Sequence, residues 1–282
     1  MVGVMTPTVL AIGGSDSSAG AGIQADLKSV AANGGYAATA ITVVTAQDSL
    51  GVHLVQELPA ATVAAQLEAA FSGMRIDAVK SGVLGPLRTI ETIAESLGRH
   101  PGTPYVLDPV LASTSGTAFE NAEAIEAIMR LLFPLATLIT PNAKEASVLV
   151  GFDVSDIDSA IRSGRALLSS GCRAVVIKGG HLADATGTDV LVTSKGHDVL
   201  PGEWIPGAEA RGTGCSLASA IATHLARSEP LLTAVRSAKA YVARALAHPL
   251  QLGQGGPGSL DHFSGWTAPQ PFGETTHIEV KA

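Results

Sequence analysis

The chain has 282 residues, of which 46% are apolar and only 15% charged, and it carries a net charge of −7. Few charges and many small aliphatic residues point to a large sheet covered on both faces. The acidic balance, with no Lys/Arg cluster, excludes a nucleic-acid partner, because a phosphate-backbone binder needs a basic face. The longest apolar stretch, Tyr36 to Ala46, is too short for a bilayer-spanning helix. No signal-peptide n-region is recognisable at the start. Two cysteines, Cys172 and Cys215, make neither a disulfide framework nor a zinc site by themselves. A reduced, cytoplasmic setting is expected.

Strand-like runs fall at Thr8–Ile12, Ala38–Val44, Ile76–Lys80, Tyr105–Asp108, Thr137–Thr140 and Ala174–Ile177. Helical patterns fall at Ile23–Ala32, Ala60–Phe71, Leu87–Leu97, Ala122–Leu132, Ala143–Val150 and Ile157–Leu168. This β-then-α rhythm predicts parallel βαβ units and a doubly covered sheet. Thr188–Trp204 reads as a hairpin about Ser194-Lys195-Gly196, followed by long helices at Cys215–Arg227 and Leu231–Ala247. No repeat and no linker divides the chain, which predicts one domain with a core of about 8–265. The remaining tail, 266–282, is assigned no role.

Ligands of such sheets sit beyond the carboxyl ends of the strands, and the chemistry-bearing residues fall there. After the first strand comes Gly13-Gly14-Ser15-Asp16-Ser17-Ser18-Ala19-Gly20-Ala21-Gly22. It is not a P-loop, since no Gly-Lys-Ser/Thr follows. It is not a dinucleotide fingerprint either, since no acidic residue closes the second strand. A wrap around a small polar ligand is the remaining reading. Asp16 would either accept a hydrogen bond from that ligand or cap the turn. Gln47 offers a donor and an acceptor to a heteroaromatic ring, or is an ordinary surface residue.

Leu107-Asp108-Pro109-Val110 places a carboxylate past one strand, and Thr140-Pro141-Asn142-Ala143-Lys144-Glu145 places another past the next. Asn142 and Glu145 have capping-box spacing. The same Glu145 could also hold a water of a magnesium ion, which favours one or two carboxylates, waters and substrate phosphates. Lys178, beside two glycines at a strand end, suits a phosphate contact or is simply solvated. Arg211-Gly212-Thr213-Gly214-Cys215 precedes a helix of small residues. Either it caps a core helix, or its free N–H groups and the helix dipole hold an anion. The Cys215 thiol on that first turn is expected to ionise more easily than a free one.

In order, these residues resemble a known family, the hydroxymethylpyrimidine/phosphomethylpyrimidine kinases of thiamine biosynthesis, within the ribokinase-like kinases. The stretches that carry it are Gly14 to Lys28, Thr39 to Gln47, Lys80-Ser81-Gly82-Val83-Leu84, Leu107 to Val110, Ile139 to Glu145, Lys178-Gly179-Gly180-His181 and Gly212-Thr213-Gly214-Cys215. The resemblance runs from about Val9 to Phe263. It implies an α/β three-layer fold with a mostly parallel sheet, and a homodimer. It implies transfer of phosphate from ATP, with Mg2+, to 4-amino-5-hydroxymethyl-2-methylpyrimidine and then to its monophosphate.

It further implies substrate contacts from Gly14, Asp16, Ala21, Gln47, Val83 and Val110, and ATP contacts from Asn142, Lys178, Thr213 and Gly214. Catalysis would fall to Cys215, Gly212, Thr213, Gly214 and Lys178, and magnesium to Asp108 and Glu145. A vitamin B6 kinase of the cysteine-containing group and a non-catalytic binding protein on the same fold are the rival readings. Three positions depart from the family pattern. Arg211 stands where His or Asn is common, Val83 where Met is usual, and Ala112–Gly116 lacks a Lys.

Overall fold

A computed structural model describes residues 5–266 apart from 113–115, 117–118, 181, 184, 203–209 and 253–254. Four expectations therefore lie wholly or mostly outside the described residues: the hairpin's end at Trp204, the residue His181, most of Ala112–Gly116 and nearly all of the tail.

The elements alternate as the sequence predicts. They are β1 (Thr8–Asp16), α1 (Gly22–Ala32), β2 (Tyr36–Gln47), β3 (Val52–Glu57), α2 (Ala60–Gly73), β4 (Ala78–Ser81), α3 (Leu87–Gly98) and β5 (Tyr105–Leu107). They continue with α4 (Ala122–Ala127), β6 (Leu138–Ile139), α5 (Ala143–Val150), α6 (Ile157–Leu168) and β7 (Ala174–Ile177). Last come β8 (Asp189–Thr193), β9 (Gly196–Leu200), β10 (Ala210–Arg211), α7 (Thr213–Ala226), α8 (Leu231–Ala247) and β11 (Gly258–Ser259). The helix expected over Ala122–Leu132 stays α-helical only to Ala127 and widens to a π turn over Ile128–Leu132.

Nine strands form one sheet in the order β3-β2-β1-β4-β5-β6-β7-β8-β9. From β2 to β7 all neighbours run parallel, and antiparallel pairings at β2–β3, β7–β8 and β8–β9 extend the two edges. Successive residues of a strand face opposite sides, and here each side has its own core. Leu10, Leu107 and Ile177 pack with Leu67 of α2, Ile93 of α3 and Leu167 of α6. Val9, Val106 and Val176 pack with Val30 of α1, Ile221 of α7 and Val235 of α8. That explains the near-continuous apolar runs, since both faces of a parallel sheet are covered.

The parallel strands all end on one side. Six carboxyl ends, those of β1, β2, β4, β5, β6 and β7, thereby bring together loops that are far apart in the sequence.

Candidate active site

A cavity of about 520 Å³ opens at those strand ends. Every candidate residue named from the sequence lines it. Gly14, Asp16 and Ala21 come from the β1–α1 loop, Gln47 from the end of β2, and Val83 and Val110 from the loops after β4 and β5. Asp108, Asn142, Glu145 and Lys178 form the other wall, and Gly212, Thr213, Gly214 and Cys215 the helix start between them.

The helix start is built by close backbone approach. Gly212, the N-cap of α7, sits at φ 79°, a left-handed conformation that glycine adopts without a Cβ penalty. A Cβ there would also collide with the Gly20 carbonyl. In α7 the Ser216 N–H is the first to find an intrahelical acceptor, at Gly212. The N–H groups of Thr213, Gly214 and Cys215 precede it and have none within the helix, at the positive end of the dipole. These free amides face the cavity side of the helix start, the arrangement that an anion site requires.

The thiol behaves differently from expectation. Burial pushes Cys215 up to about 11, and the Lys80 ammonium and the Gly22 amide pull it down by less. Easy ionisation was expected from the helix start alone; desolvation, the largest effect on this buried thiol, acts the other way. At neutral pH Cys215 is a thiol.

Lys178 Nζ lies 2.7 Å from Asp108 Oδ1 and 3.8 Å from Glu145 Oε2. Thr140 donates to the same Asp108 oxygen at 3.0 Å. Asn142 and Glu145 form the reciprocal capping box at the start of α5. Burial raises Glu145 to about 7, against the pull of Lys178. The capping role and the position in the cavity therefore coexist in one side chain. Asp16 is likewise engaged within the protein: Oδ1 accepts from Ser18 N and Oγ, and Oδ2 from Ala21 N and Arg211. Gln47 is tied into the loop by its backbone, which exchanges hydrogen bonds with Ser17 Oγ. Its Oε1 accepts from Thr45 at 3.2 Å.

The profile of the phosphomethylpyrimidine kinase family matches residues 16–260. The chain belongs to this family. It is 42% identical over 265 residues to a hydroxymethylpyrimidine/phosphomethylpyrimidine kinase of Rhizobium meliloti, covering 93% of this chain and 99% of that one. Among solved structures, a Bacillus subtilis pyridoxal kinase in complex with ADP superposes with a TM-score of 0.86 at 34% identity, covering 92% of this chain and 98% of that one. A phosphomethylpyrimidine kinase from Clostridium difficile 630 superposes with a TM-score of 0.75 at 38% identity, covering 85% and 99%. The ribokinase-like fold follows.

Reading single residues missed part of this kinase-family site. Lys80, 1% exposed, grips both oxygens of Asp26 at 2.7 and 2.8 Å, and Ser219 donates to Asp26 as well. Burial works against the Lys80 ammonium, and Asp26, together with Cys215 and Asp108, more than offsets it, holding Lys80 above the ordinary lysine range. Both residues line the cavity. A lysine in a fully buried strand needs a partner, which was the available signal. Glu120 is a buried carboxylate that is not among the residues lining the cavity. Its Oε1 accepts from the amides of Leu84 and Gly85, and its Oε2 has no partner.

Asp108 and Glu145 are hard oxygen donors on one wall. No cluster of three or more His, Cys, Asp or Glu occurs among the described residues. Two carboxylates beside this helix start would suit magnesium, which keeps several waters, better than a metal that needs a full protein cage.

Proposed function

We propose that this chain phosphorylates 4-amino-5-hydroxymethyl-2-methylpyrimidine with ATP, and then phosphorylates the monophosphate, within thiamine biosynthesis. The observation that carries this is the convergence of ring-sized pocket, anion-binding helix start and Lys178 wall in one cavity of a pyrimidine-kinase family member. One catalytic domain in a cytoplasmic enzyme is the matching organisation. Among the described residues, no helix is long and apolar enough to cross a membrane.

Gly14, Ala21, Val83 and Val110 would enclose the ring, with the Gln47 amide reading its edge and Asp16 shaping the loop. The hydroxymethyl group would face Cys215. Phosphoryl transfer depends mostly on alignment and charge stabilisation. Amides at Gly212-Thr213-Gly214 would hold the moving phosphoryl group, and Lys178 with Asn142 the nucleotide. On nucleotide binding, Lys178 exchanges part of its contact with Asp108 for phosphate oxygens. Cys215, as a neutral thiol, guides the proton of the attacking hydroxyl rather than removing it beforehand. Asp108 and Glu145 would hold Mg2+, mainly through its waters; when bound, the ion neutralises phosphate charge.

The test is turnover with ATP and magnesium on a panel holding the pyrimidine alcohol, its monophosphate, pyridoxine and pyridoxal. The pyrimidine should give the highest kcat/KM. The likeness to the Bacillus subtilis pyridoxal kinase supports the vitamin B6 reading, which wins if pyridoxal is preferred. A non-catalytic role wins if no alcohol is phosphorylated.

A homodimer is part of the same reading. It is supported by β3, an edge strand with Leu54 54% exposed and Val55 42% exposed, since an open apolar edge is a surface for pairing. Light scattering of wild type and Leu54→Lys would show a dimer converted to monomer.

A further inference from the structure

Arg211 is 6% exposed and stands immediately before the helix start. Its Nη2 pairs with Asp16 Oδ2 at 2.9 Å, and its Nη1 donates to Ser18 Oγ at 2.7 Å and to the Asp48 carbonyl at 2.6 Å. One guanidinium thus joins three segments: the β1–α1 loop, the turn after β2, and the glycine run before α7. Its planar fork is what permits three directed bonds, which an ammonium cannot copy in the same geometry.

The loop it holds is under constraint. Ala19 sits at φ 58°, a left-handed conformation that costs a non-glycine residue energy and persists only when its surroundings enforce it. Lys28 donates to the Ala19 carbonyl at 2.6 Å. Asp16, the anchor for Arg211, also caps Ser18 N and Ala21 N. Gly212 packs directly on the Gly20 carbonyl. The loop that flanks the ring and the helix start that would hold the phosphoryl group are therefore one interlocked unit.

We infer that Arg211 is a positioning residue for phosphoryl transfer: it fixes the 16–21 loop against the Gly212-Thr213-Gly214 helix start, so that the acceptor hydroxyl meets the phosphoryl group in line. The inference rests on the kinase reading of the cavity. Arg211 makes none of its hydrogen bonds to Asn142, Glu145 or Lys178 on the nucleotide wall. Its loss should loosen the acceptor side and leave the nucleotide side in place. A small misplacement of reacting groups can cost about 10²-fold in rate. Water can then reach the phosphoryl group. The water oxygen bonds to the γ-phosphorus, the bond to the β,γ-bridging oxygen breaks, and ADP, inorganic phosphate and a proton leave.

The experiment compares wild type, Arg211→Gln and Arg211→Lys, each checked for fold by circular dichroism. Arg211→Lys keeps a charge opposite Asp16 and guards against a variant that does not fold. Expected for Arg211→Gln is a fall in kcat of about 10²-fold, with KM for ATP within about twofold of wild type. The ratio of ADP formed to alcohol phosphorylated should rise, and Arg211→Lys should lie between. Independently of activity, hydrogen exchange at the amides of Ser18, Ala19 and Ala21 should quicken by about tenfold in Arg211→Gln.

Unchanged exchange at those amides overturns the inference, whatever the enzyme phosphorylates. So does a fall in kcat matched by an equal loss of ATP affinity, which marks general loosening. Wild-type inactivity on every alcohol, with the exchange result intact, refutes the kinase reading and leaves the loop clamp standing.

Discussion

Lys178 Nζ and Asp108 Oδ1 meet at 2.7 Å across the ends of β7 and β5. Gly214 lies against this pair so closely that a Cβ on it would stand 3.0 Å from Lys178 Nζ and 3.5 Å from Asp108 Oδ2. The first turn of α7 and the charged wall are thereby held in contact, which puts amide donors and an ammonium around one spot.

Gly214→Val fills that contact. The isopropyl group displaces Lys178 and blocks approach to the Gly214 amide. Loss of one such donor costs about 10²–10³ in turnover. A folded Gly214→Val protein should show that fall in kcat, with binding of the pyrimidine alcohol, measured by calorimetry, changed much less. Near-normal turnover would remove the helix start from the mechanism.

Cys215 should alkylate slowly at neutral pH. With its thiol near 11, only a fraction on the order of 10⁻⁴ is thiolate at pH 7, and the thiolate is the reactive form. Iodoacetamide labelling followed by mass spectrometry should accelerate by about tenfold per pH unit between roughly 7 and 10. Bound pyrimidine alcohol should protect. Labelling at the free-cysteine rate at pH 7 would show that burial does not control this thiol. Cys215→Ser should still bind ATP and turn over slowly.

Gln47→Leu should separate the two vitamin substrates. An aminopyrimidine presents a donor beside a ring acceptor, which one glutamine amide can satisfy together, whereas a pyridinol presents a different edge. An unpaired buried polar group costs about 1–3 kcal/mol, or roughly tenfold to a hundredfold. The expected result is that loss in kcat/KM for the pyrimidine and a much smaller loss for pyridoxine. Equal losses for both would mean that Gln47 does not read the ring.

Glu120 should make stability depend on pH. Burial raises its carboxyl from 4.5 to about 7, and the Leu84 and Gly85 amides only partly oppose this. A carboxyl raised by folding favours the native state while protonated. Its contribution is complete below about 4.5 and is lost as pH rises through about 7, by an amount on the order of 3 kcal/mol. Glu120→Gln mimics the protonated form. Thermal melts from pH 4.5 to 8 should show the wild type losing Tm relative to the variant as pH rises. Parallel curves would contradict the assignment.

The sequence by itself determined the parallel sheet and the place of the site. Apolar runs such as Ala174–Ile177, alternating with helical patterns, have few other ways to be buried. Parallel connections then force every β-to-α loop to one side, so Gly14, Asp108, Asn142 and Lys178 had to converge. The glycines before α7 were equally legible, since tight backbone approach is a property of the residue type. Strand β3 was not legible: Val52–Glu57 is an exposed edge with no buried face to impose alternation.

Only the tertiary structure decided the charges. Cys215 was expected to ionise easily from its local position, yet desolvation by surrounding elements outweighs the pull of Lys80 and the Gly22 amide. Arg211 and Asp16 are 195 residues apart, and Lys80 and Asp26 are 54 apart; no periodicity links either pair. Backbone pattern is local and repeats along the chain. Electrostatic energy depends on which groups folding brings together and on how much water it removes from them.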